Sequence, residues 1–71
     1  MAWDRDLIGG KLTEGQGQTS IDIYDRNGNK KRNLGVGGKP VSMTWDGDKI
    51  KVVLYNGKTK IYSDPYSCEE V

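Results

Sequence analysis

The side chains that carry out most enzymatic chemistry are scarce in this 71-residue sequence. It contains no histidine, the one side chain whose unperturbed pKa lies near neutrality. Cys68 is its single cysteine, so mechanisms based on Ser-His, Cys-His or zinc-bound water lack their components. The acidic candidates Asp22, Asp25, Asp46 and Asp48 fall at predicted turns or strand edges, where turn chemistry explains them. We therefore expect a protein that is not an enzyme and that uses no cofactor.

The pattern best suited to binding is a glycine-rich stretch that ends in lysine. Gly35, Gly37 and Gly38 allow successive backbone N–H groups to converge on an anion, and Lys39 adds a positive charge. The same Gly-Gly-Lys tripeptide occurs at residues 9–11. Neither stretch has the spacing of a P-loop, and a flexible connection between two hairpins has the same composition. The candidate ligand-binding residues of these two stretches are Gly35, Gly37, Gly38, Lys39, Gly10 and Lys11.

The outward face of the last predicted hairpin combines lysines with tyrosines. This Lys/Tyr face is expected to carry Lys49, Lys51, Val53, Tyr55, Lys58, Lys60 and Tyr62. A basic sheet face with exposed rings is typical of proteins that stack bases and neutralise phosphates, although a solvated outer face is similar. Tyr55 and Tyr62 are therefore candidate ligand-binding residues. Trp3 joins them because no neighbouring residue buries it, which leaves a role in ligand stacking or in an interface.

Turn dipeptides divide the chain into short strands, and no segment has helical periodicity. Asn27-Gly28, Asp46-Gly47 and Asn56-Gly57 are each typical of tight hairpins, since glycine supplies the positive φ that these turns require. The predicted strands cover residues 6–13, 19–26, 30–36, 40–46, 48–55 and 58–63. The predicted fold class is therefore all-β, a small antiparallel meander of about six short strands in an open sheet or a small barrel.

The turns also predict which residues the sheet buries. If the last two dipeptides are two-residue turns, one face carries a continuous apolar row. That row consists of Val41, Met43, Trp45, Ile50, Val52, Leu54 and Ile61. For the first hairpin, we prefer the register that places Ile23 opposite Leu34, because the alternative places Arg32 opposite Ile23.

The stretch from Val41 to Val53, VSMTWDGDKIKVV, contains a Trp45-Asp46 dipeptide followed by a glycine turn. Together with its continuation through Asn56-Gly57 to Tyr62, it resembles part of a β-propeller blade. The resemblance covers a little over a third of the chain and implies an antiparallel meander in this region. It does not imply a propeller, because a propeller takes about four to eight blades to close.

The composition predicts one small domain that gains stability from self-association. Only 34% of the residues are hydrophobic and phenylalanine is absent, so the core is small. We expect an all-β domain over residues 1–64 and a tail over residues 65–71. Because one cysteine forms no internal disulfide that would stabilise such a small domain, we also expect a homo-oligomer. No apolar run is long enough to span a bilayer, so no membrane partner is expected. An acidic start unlike a signal peptide, with the lone cysteine, favours the cytoplasm.

Three hypotheses for function follow. The first is a small oligomeric protein that binds an anionic, nucleotide-like ligand, with glycine loops on the phosphates and an aromatic ring on the base. In size and style the chain is similar to compact phage proteins that sequester cyclic nucleotide signals. The second is a protein-interaction module or inhibitor that presents a sheet edge or the tail. The third is weak binding of single-stranded nucleic acid by the Lys/Tyr face, although a net charge of +1 argues against high affinity.

Overall fold

A computed structural model describes residues 3–71, which form seven β-strands and no helix. The strands are β1 (Leu12–Glu14), β2 (Ser20–Tyr24), β3 (Lys30–Gly35), β4 (Pro40–Asp46), β5 (Lys49–Leu54), β6 (Thr59–Asp64) and β7 (Ser67–Glu70). They form two antiparallel sheets, with the strand orders β1-β2-β3 and β4-β5-β6-β7. The predicted all-β class is confirmed, whereas the single meander is replaced by two sheets. Within residues 3–71 there is also no helix that would cross a membrane.

The core lies where the inner faces of the two sheets meet. Its buried side chains are Trp3, Leu7, Ile21, Ile23, Leu34, Val36, Ile50, Val52, Leu54 and Tyr62. Partly buried Ile8, Leu12, Met43 and Trp45 pack against them. In β5 the apolar residues alternate with exposed Lys49 and Lys51, which is the pattern of a strand that buries one face.

The N-terminal segment differs most from the prediction. Residues 5–9 form turns, in which the amides of Leu7 and Ile8 both donate to the carbonyl of Asp4 (2.9 and 3.3 Å). This path buries Leu7 and Trp3 in the core. The first strand therefore begins only at Leu12, and the strand predicted over residues 6–13 is wrong except at its C-terminal end.

The β2–β3 hairpin adopts the other of the two registers considered, with Arg32 opposite Ile23. Asp25 explains this choice. Its amide donates to the carbonyl of Asn29 (2.9 Å), and its Oδ1 accepts hydrogen bonds from the amides of Asn27 and Asn29 (2.9 Å each). These bonds fix a three-residue loop, residues 26–28. The preferred pairing of Ile23 with Leu34 is therefore wrong, although both registers bury the same face.

The β4–β5 hairpin turns one residue later than predicted, at Gly47-Asp48, so that Met43 lies opposite Val52. Gly47 has a φ of +66°, and a positive φ at the first central residue alone is typical of a type II′ turn. Because the turn moves by one residue, the pairing moves by two, and the predicted inward face is preserved. Val41 is the exception, since a register shift between Pro40 and Ser42 leaves it 53% exposed.

The β5–β6 hairpin has a three-residue loop, residues 55–57, where the sequence predicted a two-residue turn. The amide of Leu54 donates to the carbonyl of Lys58 (2.8 Å) and closes this loop. One additional residue inverts the two faces of β6. Tyr62 consequently lies in the core, and Ile61 lies opposite Lys51 on the outer face. The predicted positions of Tyr62 and Ile61 are therefore both wrong.

The segment predicted as a tail contains the last strand, β7, which pairs antiparallel with β6. Pro65 does not end the sheet but occupies the first central position of a tight turn, where its fixed φ is favourable. The amide of Tyr66 donates to Oδ1 of Asp64 (2.7 Å) across this turn. All residues of β7 are exposed, and the strand forms one edge of its sheet.

Candidate functional site

Residues 36–39, between β3 and β4, carry the glycine-rich stretch across from one sheet to the other. Hydrogen bonds hold this glycine loop at both ends. The amide of Val36 donates to the carbonyl of Thr19 (3.1 Å), and the amide of Tyr55 donates to the carbonyl of Lys39 (2.9 Å). Gly37 has a φ of +74°, a left-handed conformation that glycine adopts without steric cost. The loop therefore follows a path that its two ends and its glycine determine.

Three successive amides of the glycine loop have no acceptor within the described chain. Among residues 3–71, no carbonyl or side-chain oxygen receives a hydrogen bond from the N–H of Gly37, Gly38 or Lys39. Pro40, which follows them, has no N–H to offer. Successive backbone N–H groups around a left-handed residue form a concavity that binds anions. The loop thus retains the donors that a phosphate or carboxylate group accepts from.

Lys60, which the sequence pattern does not predict at this loop, lies directly beside it. The Lys60 ammonium group donates to the carbonyl of Val36 (2.9 Å). A Cβ built at Gly37 would lie 3.1 Å from the Lys60 Nζ. In the part of the chain that the structure describes, no carboxylate lies within 4.0 Å of the ammonium groups of Lys60 or Lys39. Two cations therefore flank the loop without a neutralising partner.

Tyr55 supplies an exposed aromatic ring at the same end of the molecule. Tyr55 is 67% exposed, and the Lys39 ammonium group lies 5.0 Å from the centroid of its ring. This is the distance of a cation–π interaction. The structure therefore brings together five of the predicted candidates: Gly35, Gly37, Gly38, Lys39 and Tyr55.

The second Gly-Gly-Lys stretch lies elsewhere and has a packing role. A Cβ at Gly10 would collide with the carbonyl of Tyr24, so only glycine fits there. The Gly10 carbonyl also accepts a hydrogen bond from Trp45 Nε1 (2.9 Å). The Lys11 ammonium group lies 5.8 Å from the centroid of the Tyr24 ring. Gly10 and Lys11 are therefore not part of the candidate site at the glycine loop.

Trp3 and Tyr62 are buried core residues rather than exposed rings. Trp3 is 3% exposed, its Nε1 donates to the Tyr62 carbonyl (2.9 Å), and it meets Trp45 edge to face with ring centroids 6.0 Å apart. The expectation that nothing buries Trp3 is wrong because Tyr62, 59 positions later, supplies the contact. The Tyr62 hydroxyl donates to the carbonyl of Gly35 (3.4 Å), and burial raises the pKa of this phenol.

The predicted Lys/Tyr face does not form as expected. The inversion of β6 turns Lys60 toward the glycine loop and Tyr62 into the core. The outer face of β5 therefore keeps Lys49, Lys51 and Val53 without these two residues of β6. The signal for Lys60 was present in the sequence, because Asn56-Gly57 suits a three-residue loop as well as a two-residue turn.

A second concave surface lies between the N-terminal turns and β3. This cleft has a volume of about 300 Å³ and is lined by Asp4, Asp6, Leu7, Lys31 and Arg32. Acidic and basic groups line it together, so it favours neither an anion nor a cation. Among residues 3–71, no group of three His, Cys, Asp or Glu side chains is placed to hold a metal ion.

Comparison of the chain with protein-family models, with curated proteins and with solved structures finds no match in any of the three. The interpretation of the site therefore depends on its own geometry.

Proposed function

We propose that this protein is a non-catalytic binding protein whose glycine loop holds the anionic group of a nucleotide-like ligand. The observation that carries the proposal is a set of three loop amides that have no acceptor among residues 3–71. Two ammonium groups without a carboxylate partner in the same range flank them. Backbone N–H groups and lysines are the donors that recur in phosphate sites. A ligand of this class would accept hydrogen bonds from donors that have no acceptor within the described part of the chain.

The exposed Tyr55 ring supports a ligand that carries a planar base next to its anionic group. The Lys39 ammonium group lies over the ring, 5.0 Å from its centroid, and most of the Tyr55 surface is exposed. Stacking of a base on an aromatic ring contributes about 1–3 kcal/mol. The loop would then hold the phosphate while Tyr55 holds the base.

The test is calorimetric titration of the protein with adenosine and guanosine 5′-monophosphates. We expect saturable binding that Lys39→Ala reduces by about tenfold, the usual effect of losing one charged hydrogen bond. Lys51→Ala is the matched control, because Lys51 is an exposed lysine on the outer face and should leave the affinity unchanged. No binding by the wild-type protein, or equal losses in both variants, would contradict the proposal.

We further propose that the protein acts as a homo-oligomer in the cytoplasm, since a core of this size gives limited stability to a monomer. Native mass spectrometry of protein purified without refolding reports the subunit number and any co-purifying small molecule together. An oligomer that carries a small anionic molecule is expected. A bare monomer would contradict the oligomer proposal and weaken the ligand proposal.

A protein-interaction module is the second candidate function, and the edge strand β7 favours it. Its residues are all exposed, and in the described chain it pairs only with β6. An exposed edge offers backbone N–H and C=O groups to a partner strand. Under this alternative Lys39→Ala leaves partner binding unchanged, and Glu69→Lys in β7 reduces it.

A further inference from the structure

The position of Lys60 assigns it a role that Lys39 cannot fill. The Lys60 side chain is partly buried, and its ammonium group is held against the loop backbone by the hydrogen bond to the Val36 carbonyl (2.9 Å). An ammonium group has three N–H donors, and this bond uses one of them. Lys39, in contrast, lies over the Tyr55 ring on the solvent side of the loop. Lys60 is thus the fixed cation of the site.

A partly buried cation without a counter-ion is unfavourable, because burial removes water from the charge. The carboxylate closest in register is Glu70, which lies opposite Lys60 on β7. That carboxylate instead pairs with the Lys58 ammonium group (3.4 Å). A bound anion would therefore supply the negative charge that Lys60 lacks within the described chain.

From these contacts we infer that the site takes a terminal phosphate monoester, with Lys60 as its principal charged ligand. This inference rests on the binding function proposed above and specifies its ligand. A monoester near neutral pH carries a charge close to −2 and three acceptor oxygens. Two ammonium groups and the three amides of residues 37–39 match both properties. A phosphodiester carries one charge and two free oxygens, so it leaves donors unused.

The inference is tested with matched pairs of ligands. Adenosine 5′-monophosphate is compared with 3′,5′-cyclic adenosine monophosphate, and the guanosine pair is compared in the same way. We expect each monoester to bind about tenfold or more tightly than its cyclic diester, the effect of one unmade charged hydrogen bond. Equal affinity for monoester and diester would overturn the inference while leaving nucleotide binding intact.

The pH dependence supplies an independent readout, because a phosphate monoester loses its second charge below its pKa of about 6. We expect monoester affinity to fall by about tenfold between pH 7.5 and pH 5, because the phosphate loses one of its two charges. The diester does not titrate in this range, so its affinity measured at the same pH values accounts for any titration of Glu70 or other protein groups. A monoester curve parallel to the diester curve would overturn the inference.

Variants of the two lysines identify the charged ligand. Lys60→Met keeps the length of the stem and removes the charge, and Lys51→Met on the outer face of the adjacent strand is the matched control. We expect Lys60→Met to reduce monoester affinity by more than tenfold and diester affinity by a smaller factor, and circular dichroism to show that the fold is kept. If neither monoester nor diester binds the wild-type protein, the proposed function itself fails. If the monoester binds and Lys60→Met does not weaken it, only the role of Lys60 fails.

Discussion

The sequence predicts an unburied Trp3, whereas the structure buries it, so its substitution tests the fold directly. Trp3 is 3% exposed, and its indole N–H donates to the Tyr62 carbonyl (2.9 Å). Truncation of a buried tryptophan to alanine costs about 3–5 kcal/mol. A domain of this length has a free energy of unfolding of about 4–11 kcal/mol. Trp3→Ala should therefore remove a large part of the total stability.

Trp3→Phe separates the hydrogen bond from the packing. Phenylalanine keeps most of the buried ring but leaves the Tyr62 carbonyl without its donor, which costs about 1–2 kcal/mol. With a urea m-value of about 1 kcal/mol/M for a small domain, the unfolding midpoint should fall by about 1–2 M.

The assay is equilibrium urea unfolding followed by far-ultraviolet circular dichroism. Tyr66→Ala is the control, because this ring is 84% exposed and its loss should change the free energy of unfolding by less than about 0.5 kcal/mol. If the free energy of unfolding of Trp3→Ala lies within about 1 kcal/mol of the wild-type value, the N-terminal turns do not belong to the core, and the packing of Trp3 is contradicted.

Two further predictions concern polar clusters in the first sheet. A Cβ at Gly15 would collide with Ser20 Oγ, so Gly15→Ala should lower the free energy of unfolding, measured by chemical denaturation, by about 1–3 kcal/mol. Gly35→Ala is the control, because a Cβ there meets open space and should leave that free energy nearly unchanged. Equal effects of the two substitutions would contradict the packing. The amide of Asn29 holds the pKa of Asp25 below its ordinary value, against the opposing effect of burial. The stability this carboxylate contributes is therefore present above its unfolded pKa and lost as pH falls through its lower folded pKa. Asp25→Asn should lower the melting temperature at neutral pH, with a difference that shrinks below about pH 4; a difference independent of pH would contradict this reasoning.

The turns and the strand periodicity could be predicted from the sequence, but loop lengths could not. Asn-Gly suits both a two-residue turn and a three-residue loop that ends in a left-handed glycine. In the β5–β6 hairpin the longer loop places Tyr62 inside rather than Ile61. This choice buries the larger ring and directs Lys60 to the glycine loop. Packing between the two sheets favours it, and a local pattern carries no information about that packing.

The sequence predicts only those parts of the site that lie close together in the chain or in one hairpin. The glycines and Lys39 are adjacent in sequence, so their pattern was visible, and Tyr55 joins them through the pairing of β4 with β5. The neighbouring residues of Trp3 predict a role in a ligand site or an interface, because the contact that buries it is with Tyr62, 59 positions later. Contacts at such separation depend on the arrangement of the two sheets, which the pattern of a single hairpin does not encode.

The central claim is that the loop amides bind the ligand, and amide NMR tests it most directly. In a titration of ¹⁵N-labelled protein with adenosine 5′-monophosphate, we predict the largest shifts at the N–H groups of Gly37, Gly38 and Lys39. Inorganic phosphate should shift the same amides more weakly, because it lacks the base that stacks on Tyr55. Shifts concentrated in β7 or around Lys49 and Lys51, or no shifts with either ligand, would contradict the account.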